Sequence, residues 1–357
     1  MSPIQTEVLI IGAGPVGLFQ VFQLGLQEIS AHVLDAHDQI GGQCSALYPD
    51  KYIYDIPGIK KITGQQLVEQ LQNQIAPFKT PVHLGSYVQS LKPLEDGFEV
   101  TTQKGVTFKA KCVVIAAGVG AFVHKELPLA ELKEFRANKS QVFNSLPENA
   151  DLPGKDIVIY GNNEHAVTTA LKALESIKAV NNAPSRGSVT LVYRRDKLEL
   201  EELDSSGQEL LRTGFEHALK TGELDFKVAQ ITAVQTNNSS LSHVILTGTD
   251  GLESRIKCDY LIESLGLSPK LGPITEWELA MQRRSLTVSP ETFCTSIPGV
   301  FAVGDINTYP GKKKLILSGF HEATLAAFAI ASHLTGRQSG PLEYTSSSTR
   351  IHKLLGV

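Results

Sequence analysis

The 357-residue chain is poor in cysteine, methionine and tryptophan, with four, two and one of these residues. Its cysteines are widely spaced, and no two of them stand in a C-x-x-C pattern: Cys44, Cys112, Cys258 and Cys294. This spacing excludes a local dithiol redox centre and gives no sign of a metal site. We expect all four to be reduced thiols that pack as small apolar side chains in a reducing compartment.

Long hydrophobic runs are also missing. No segment approaches the roughly 20 uninterrupted apolar residues of a membrane span, and the N-terminus has neither a basic region nor a small-residue cleavage site. We therefore expect a cytoplasmic protein with no membrane association. The net charge of −4 argues against a nucleic-acid partner. The length and the globular composition predict two α/β domains of roughly 100–200 residues each.

Glycine, by contrast, is concentrated where the first strand-like run ends. The sequence GAGPVG occupies Gly12–Gly17, between an apolar run and a segment with helical spacing. Gly12 permits a tight turn, Gly14 lets a pyrophosphate approach the backbone, and Gly17 allows close packing of helix on sheet. The helix N-terminus adds oriented N–H groups, so the pattern predicts a dinucleotide-binding turn.

An acid follows this turn at the spacing that the chemistry requires. The next strand-like run, Ala31–Asp35, ends on a carboxylate close to the usual distance of about 20 residues from the turn. Asp35 is placed to accept a hydrogen bond from a ribose hydroxyl. The first turn and this acid together predict a nucleotide site in the N-terminal domain.

A second strand–turn–helix unit begins at Asp156, and it carries a degenerate turn. Only the first glycine, Gly161, is kept, and the next four residues are Asn162, Asn163, Glu164 and His165. Asparagine tolerates positive φ, so the turn geometry can survive. The following strand ends at Arg194 and Arg195, whose guanidinium groups suit a 2′-phosphate and favour NADPH over NADH.

The distal part of the chain returns to the first domain. The apolar run Val300–Asp305 ends on a carboxylate that can reach a flavin ribityl hydroxyl. A lysine run, Lys312–Lys314, follows, either as a solvated loop or as a docking patch for an acidic electron-transfer protein. An apolar helix is predicted from about Glu322 to Leu334. We expect a first domain of residues 1–118 and 290–357, a second of 122–286, and hinge strands near 112–121 and 258–289.

Several segments together resemble one family. They are GAGPVG, GGQ, SALYPDKYIYDIPG, YRRDK and PGVFAVGDINTYPGKKKLILSGFHEA, and they are similar to ferredoxin/flavodoxin–NADP reductases of the thioredoxin-reductase-like type. The resemblance implies an α/β fold with two Rossmann-like, three-layer ββα nucleotide-binding domains. It further implies a homodimer with one FAD per subunit, hydride transfer between NADPH and flavin N5, and one-electron transfer to or from ferredoxin or flavodoxin.

The resemblance also assigns site residues. No acid–base residue is obligatory in such an enzyme; Tyr48 resembles the aromatic that stacks on one flavin face, and Tyr344 the one that the partner's C-terminal extension lays on the other. The implied FAD ligands are Gly12, Gly14, Pro15, Val16, Gly17, Asp35, Gln43, Tyr48, Val88, Phe122, Asp305, Thr345 and Ser346. The implied NADP(H) ligands are Gly161, Asn162, Asn163, Glu164, His165, Arg194 and Arg195.

Two alternatives remain open at the level of sequence. The same scaffold serves NAD(P)H oxidases, quinone reductases and low-molecular-weight disulfide reductases, although the missing C-x-x-C pattern disfavours the last of these. The degenerate Gly161 turn also suits a flavin-binding regulator whose nicotinamide site is impaired.

Overall fold

A computed structural model describes residues 2–147, 152–178, 187–194, 206–337 and 343–356. The chain divides into two compact units, which we call unit 1 (Met1–Phe122 and Pro269–Val357) and unit 2 (Val123–Ser268). Each unit is built on a mainly parallel sheet with helices, so the predicted α/β class with two Rossmann-type units is confirmed.

The N-terminal part of unit 1 alternates strands and helices. Its first strand is a β-branched run whose last four residues are buried, as expected for a central parallel strand. In chain order the elements are β1 Ile4–Ile11, α1 Pro15–Leu26, β2 Ala31–Leu34, α2 Gln43–Ala46, β3 Tyr52–Ile53, β4 Ile62–Thr63, α3 Gly64–Ile75, a 3₁₀ helix Ala76–Phe78, β5 Val82–His83, β6 Val88–Leu94, β7 Gly97–Thr102 and β8 Thr107–Ile115.

The main sheet of unit 1 has the strand order β5-β2-β1-β8-β7-β6. Strand β1 lies at its centre and pairs in parallel with β2 and β8, so that Val8 is level with both Ala31 and Cys112. The carboxyl ends of these strands therefore meet at one edge of the sheet, which is where ligands bind in open α/β sheets.

Two short strands carry the chain between the units: β9 Ala121–His124 and, after unit 2, β17 Leu267–Lys270. The hinge strands predicted near 112–121 and 258–289 lie close to these crossings, the first ending one residue before Phe122 and the second including the step from Ser268 to Pro269. Cys112 belongs to β8 in the unit 1 sheet, and the apolar run ending at Gly266 belongs to the unit 2 sheet. Each is buried because it is a sheet strand, and the crossover follows it.

Unit 2 repeats the alternation around a sheet of order β10-β16-β11-β12-β13-β14-β15. Strand β11 is again flanked by two parallel neighbours. The elements are α4 Leu132–Ala137, β10 Val142–Phe143, β11 Asp156–Gly161, α5 Glu164–Lys178, β12 Ser188–Tyr193, α6 Ser206–Lys220, β13 Leu224–Asn237, β14 Ser240–Gly248, β15 Glu253–Lys257 and β16 Tyr260–Ser264.

The C-terminal part of the chain completes unit 1. Strand β20 adds to the main sheet beside β8, level with residues 113–115. The elements are a 3₁₀ helix Gly272–Glu276, β18 Met281–Gln282, β19 Ser285–Thr287, β20 Val300–Ala302, a 3₁₀ turn Gly304–Ile306, β21 Asn307–Thr308, α7 Ile316–Thr335 and α8 Thr349–Leu355.

The return to unit 1 comes earlier than the sequence suggested. The predicted boundary lay between 286 and 290, whereas unit 1 resumes at Pro269. The physical reason is burial, because five apolar residues of this stretch belong to the unit 1 core: Leu271, Ile274, Trp277, Leu279 and Leu286.

Candidate functional site

The first glycine turn is forced by close approach of backbone atoms. Gly12 has φ +114°, and a Cβ there would lie 2.4 Å from the carbonyl oxygen of Ala116. A Cβ at Gly17 would lie 1.9 Å from the carbonyl oxygen of Gly12. Any side chain at either position would push helix α1 off the sheet. The predicted roles of these two glycines in turn and packing follow from the geometry.

Gly14 differs from them, because the space around it is open. A Cβ at Gly14 would meet only the Cα of Gly42, at 3.9 Å. Gly14 is the N-cap of α1, no side chain caps that helix, and Pro15 fills its first position. The first-turn N–H groups of α1 are thus left for an anion, and the helix dipole favours one there.

Asp35 lies directly across this turn. Its Oδ2 accepts the N–H of Ala13 at 2.6 Å and its Oδ1 accepts the N–H of His37 at 2.9 Å. Burial raises the pKa of the Asp35 carboxyl, and the two N–H donors oppose that shift. A buried carboxylate with acceptor capacity to spare is well suited to ligand hydroxyl groups.

A cavity of about 280 Å³ opens at this edge of the unit 1 sheet. Most of the residues implied for FAD line it, although they come from distant parts of the chain: Gly12, Gly14, Pro15, Val16, Asp35, Gln43, Tyr48, Val88, Phe122 and Asp305. The fold therefore brings together side chains that the sequence could only name one by one.

Four implied residues do not line this cavity. Gly17 packs behind the turn, as described above. Tyr344, Thr345 and Ser346 are exposed, and Tyr344 retains 66% of its accessible surface. They precede α8, which is fixed to α1 by Arg350, whose guanidinium donates to Glu28 and to the carbonyl oxygen of Leu26.

Tyr48 enters the cavity from the end of α2. Its hydroxyl accepts from Cys44 Sγ at 3.7 Å. Burial, reinforced by the neighbouring Cys44, raises the pKa of Tyr48 well above its usual value, so the phenol stays neutral. Burial also raises the pKa of the Cys44 thiol. A neutral aromatic ring at the wall suits stacking on a planar heterocycle.

Asp305 reaches the cavity from the turn after β20. Its Oδ2 accepts a hydrogen bond from Gln43 Nε2 at 3.3 Å, which joins the two chain segments across the cavity. Gly304, just before it, has φ +80°, and a Cβ there would lie 3.4 Å from Cγ2 of Val16 at the start of α1. The distal strand thus places a second carboxylate beside the dinucleotide turn.

A fully buried carboxylate holds this distal turn in place. Glu322 Oε2 accepts from the N–H of Gly304 at 2.7 Å and from Asn307 Nδ2 at 2.8 Å. Its Oε1 accepts from the Tyr309 hydroxyl at 3.0 Å and from Lys312 Nζ. Burial and the adjacent carboxylate raise the pKa of Tyr309 to about 12. Four donors on one buried carboxylate fix the conformation of the segment before and after Asp305.

Two expectations about this region are corrected, one on the start of α7 and one on Lys312 alone among the three lysines. Helix α7 begins at Ile316 rather than near Glu322, because Leu315 is its N-cap and supplies no side-chain capping signal. Lys312 belongs neither to a solvated loop nor to a patch, since its side chain is 6% exposed and paired with Glu322. The N-terminus of α7 still lies at the cavity, which Ile316 lines.

The degenerate turn of unit 2 is shaped by close packing at Gly161 and by a helix cap from Asn163. A Cβ at Gly161 would lie 2.5 Å from the carbonyl oxygen of Ser264 and 2.6 Å from the Cβ of Ala166, so this glycine is required by packing. Asn163 Oδ1 accepts the N–H of Ala166 at 3.0 Å and so caps α5. Asn163 thus stands where the turn pattern has its second glycine, and its side chain supplies a hydrogen bond that a glycine could not make.

The remaining residues implied for NADP(H) lie around this turn or just beyond it. Asn162 is partly buried, whereas Glu164 and His165 are exposed on the first turn of α5. Arg194 is exposed at the end of β12, which is the neighbour of β11 in the sheet. Arg195 lies outside the described residues.

Some cavity residues had no signal in the sequence. His37 Nε2 accepts the N–H of Phe122 at 3.2 Å, and the two rings lie 6.0 Å apart. Trp277 and Ile274 form part of the wall from the returning segment. Only a prediction that residues 269–286 return to unit 1 could have identified the last two.

Other classes of site are absent from the described residues. Within those ranges, no group of three or more histidine, cysteine or acidic side chains could hold a metal ion. Among the described helices, none combines the length and the apolarity that crossing a bilayer requires. The four cysteines are free thiols, three of them buried.

Fold and site define a class. Residues 9–304 match the model of the pyridine nucleotide-disulphide oxidoreductase family, and the chain belongs to that family. It is an oxidoreductase. Curated relatives are named ferredoxin–NADP reductase: that of Polaromonas sp. (strain JS666) is 45% identical over 358 residues, covering 100% of this chain and 94% of the relative. That of Acidovorax sp. (strain JS42) is 46% identical over 360 residues, covering 100% and 97%.

Solved structures agree on the fold. Thioredoxin reductase from T. acidophilum superposes with a TM-score of 0.56 at 23% identity, covering 93% of this chain and 99% of that chain. A bacillithiol disulfide reductase from Bacillus cereus superposes with a TM-score of 0.60 at 17% identity, covering 92% and 99%. The thioredoxin-reductase-like fold is thereby confirmed.

Proposed function

We propose that the protein is an FAD-dependent ferredoxin/flavodoxin–NADP⁺ oxidoreductase, with FAD in the cavity of unit 1 and NADP(H) at the β11–α5 turn of unit 2. The observation that carries the proposal is the convergence of the Gly12–Gly14 turn, Asp35, Tyr48 and Asp305 on one cavity. The names of full-length relatives at 45% and 46% identity support the choice of reaction.

The donor and acceptor set of the cavity fits FAD. The uncapped N-terminus of α1 offers N–H groups to a pyrophosphate, and the open face of Gly14 leaves room for it. The Asp35 carboxylate accepts from ribose hydroxyl groups, and Asp305 is placed for a second polyol. Apolar walls at Ile274 and Trp277 exclude water from a planar ring.

FAD supplies the change from two-electron to one-electron transfer, which balances as NADPH plus two oxidised ferredoxins giving NADP⁺, H⁺ and two reduced ferredoxins. The protein's own groups bind and orient. The neutral Tyr48 gives a stacking surface, and Glu322 holds Gly304 and therefore Asp305 in position. No side chain has to exchange a proton for this reaction, which agrees with the absence of an acid–base pair in the proposed set.

For the nicotinamide nucleotide, unit 2 offers the β11–α5 turn and Arg194. The buried hydroxyl of Ser264, at the carboxyl end of β16 next to Gly161, has no hydrogen-bond partner among the described residues. Such a group at the edge of a parallel sheet is where a nucleotide would find a partner. The guanidinium of Arg194 supports a preference for NADPH over NADH.

The exposed tail residues support the homodimer that this function requires. Tyr344, Thr345 and Ser346 lie outside the cavity of their own chain, and α8 is anchored through Arg350. We infer that the tail covers the cavity of a second copy, with Tyr344 against the ring face opposite Tyr48. Molar mass by light scattering, with and without residues 343–357, tests this assembly.

A disulfide reductase on the same scaffold is disfavoured by the thiols themselves. Among the cysteines, Cys44 alone lines the cavity, and burial raises its pKa, which suppresses the thiolate that disulfide exchange needs. No second cysteine accompanies it there.

Anaerobic stopped-flow reduction of the FAD-loaded protein by NADPH tests the proposal. We expect the visible flavin absorption, near 450 nm, to be lost within about 0.1 s of mixing, which is the turnover time of a typical enzyme. Ferredoxin-dependent cytochrome c reduction should then exceed direct oxygen consumption. Absence of reduction by NADPH would reject the reductase and favour a flavin-binding regulator, whereas oxygen consumption without ferredoxin-dependent transfer would identify an oxidase.

A further inference from the structure

An exposed segment with two lysines and two leucines borders the cavity of unit 1. Lys313 and Lys314 are exposed, Leu315 keeps 45% of its accessible surface, and Leu317 keeps 44%. We call these four residues the lysine–leucine segment. Two large aliphatic side chains this exposed, two positions apart in the sequence and next to two cations, are unusual for a surface that meets only water.

The charges of this segment are available to a partner. The charge of Lys312 is neutralised by its buried ion pair with Glu322. Neither Lys313 nor Lys314 forms an ion pair with any described residue. The lysine run is therefore divided into one residue that anchors the backbone and two that project from it. Cations beside apolar side chains are the composition of an interface centre with a charged rim.

The segment is also held in one conformation. Lys312 fixes its start by donating to the carbonyl oxygen of Gly304. The N–H of Leu315 donates to the carbonyl oxygen of Lys313 at 3.0 Å, and the N–H of Gly319 donates to the carbonyl oxygen of Leu315 at 3.1 Å. A surface already ordered before binding loses little conformational entropy when a partner arrives.

Its location relates it to electron transfer. Lys314 and Leu315 line the same cavity as Tyr48 and Asp305, whereas Lys313 and Leu317 lie outside the lining. A protein seated on the segment would thus lie beside the proposed flavin cavity, at the edge formed by Lys314 and Leu315. Small acidic electron carriers match this surface in charge.

We propose that the lysine–leucine segment is the docking surface for the acidic electron carrier, a ferredoxin, in the reaction proposed above, on which this inference rests. The lysines raise the association rate by long-range attraction, and the leucines are buried on contact. Attraction of this kind falls with ionic strength, because the Debye length shortens from about 10 Å at 0.1 M salt to about 3 Å at 1 M.

The test uses Lys313→Glu/Leu317→Ser, two positions outside the cavity lining. The matched control is Lys104→Glu/Leu94→Ser, an exposed lysine and a leucine with 40% exposure elsewhere in unit 1. We expect the KM for ferredoxin to rise about tenfold or more in the first variant at low salt. Its NADPH–ferricyanide rate and FAD content should be unchanged, and the control should resemble the wild type throughout.

Two further measurements make the result decisive. Titration of FAD-loaded protein with oxidised ferredoxin should show the same loss of affinity without turnover, and the wild-type rate should fall with salt more steeply than that of the variant. An unchanged KM and affinity would overturn the docking inference. A change of molar mass in the variant would also overturn it, and would show that the lysine–leucine segment contacts a second copy of the chain. A wild type that bleaches with NADPH but never reduces ferredoxin would instead reject the proposed function.

Discussion

Lys312 and Glu322 form an ion pair in which both side chains are buried, beneath the turn that presents Asp305 to the cavity. The ion pair is not formed within one helix, because Lys312 precedes α7 and Glu322 lies within it. Lys312 Nζ donates in addition to the carbonyl oxygen of Gly304 at 2.9 Å. One carboxylate and one ammonium group therefore hold the N–H and the carbonyl oxygen of Gly304.

Removing one partner of this pair should cost far more stability than removing both charges. In Lys312→Met the Glu322 carboxylate stays buried without its cation, and we expect the free energy of unfolding to fall by about 3–5 kcal/mol. The double variant Lys312→Met/Glu322→Gln should recover part of that loss. Urea unfolding curves of the three proteins measure the difference. A single variant within about 0.5 kcal/mol of wild type would contradict the assignment.

FAD affinity should depend on the ionisation of Asp35. Burial raises the pKa of this carboxyl, and ribose hydroxyl groups donate to its ionised form. Binding therefore favours deprotonation, so affinity should rise with pH through the acidic range and level off above the pKa. Fluorescence titrations of FAD from pH 4.5 to pH 8 measure the slope.

Asp35→Asn supplies the control for this pH dependence. The amide cannot ionise, so the slope should disappear and affinity should be low throughout. The raised pKa also means that ionising Asp35 costs the FAD-free fold stability as pH rises through that pKa. An undiminished slope in Asp35→Asn would assign the titration to another group.

The sole tryptophan offers an internal reporter of cofactor binding. Trp277 is buried in the cavity wall, and its emission overlaps the absorption of a flavin. Addition of FAD to the FAD-free protein should quench most of the tryptophan emission, in step with the visible flavin spectrum. Trp277→Phe should show no such signal while still binding FAD. Emission that persists after FAD has bound would place the flavin elsewhere.

A pair of histidines should make unit 1 sensitive to mild acid. His32 Nδ1 and His83 Nε2 lie 3.0 Å apart, and burial lowers the pKa of both rings, with mutual repulsion lowering that of His32 further. The unfolded chain then binds more protons below about pH 6.5, so stability should fall as the pH drops through that range.

Thermal unfolding at pH 8 and pH 5.5 tests the histidine pair. His83→Gln keeps a hydrogen-bonding side chain without the titration, and it should narrow the difference in Tm between the two pH values. The exposed His321→Gln should leave that difference unchanged. Equal narrowing in both variants would show that the pair is not responsible.

Arg194 should distinguish the two nicotinamide nucleotides. A charge-assisted contact with a phosphate contributes about 1.5–3 kcal/mol, so Arg194→Ala should raise the KM for NADPH about tenfold or more. The KM for NADH should hardly change, because NADH lacks that phosphate. Steady-state reduction of ferricyanide with each nucleotide gives both constants. An equal rise for the two would refute a contact with the 2′-phosphate.

The parts of the site that sequence predicted are those written in consecutive residues. The Gly12–Gly17 turn, Asp35 and the strand ending at Asp305 each follow from a local pattern of strand, glycine and acid. Such patterns reflect backbone constraints that act within a few residues. The start of α7 was missed for the same reason, since Leu315 is an N-cap that no local rule favours.

The parts that sequence did not predict depend on residues far apart in the chain. Glu322 resembles a surface charge on an amphipathic helix until Gly304 and Lys312 are placed around it. Trp277 gives no motif at all, and its place in the wall follows from burial of the returning segment in the unit 1 core. Tertiary packing decides both.

The cap that Asn163 places on α5 bears on how nucleotides are told apart. The N–H of Ala166 already has a side-chain partner, so a phosphate arriving there exchanges one hydrogen bond for another and gains little. A pyrophosphate at this turn is common to NADPH and NADH, so under the proposed assignment the discrimination comes from the exposed charge of Arg194, which mobile ions can neutralise. We expect the ratio of the KM for NADH to the KM for NADPH to be large at low ionic strength and to fall at high ionic strength, although the fold itself does not change.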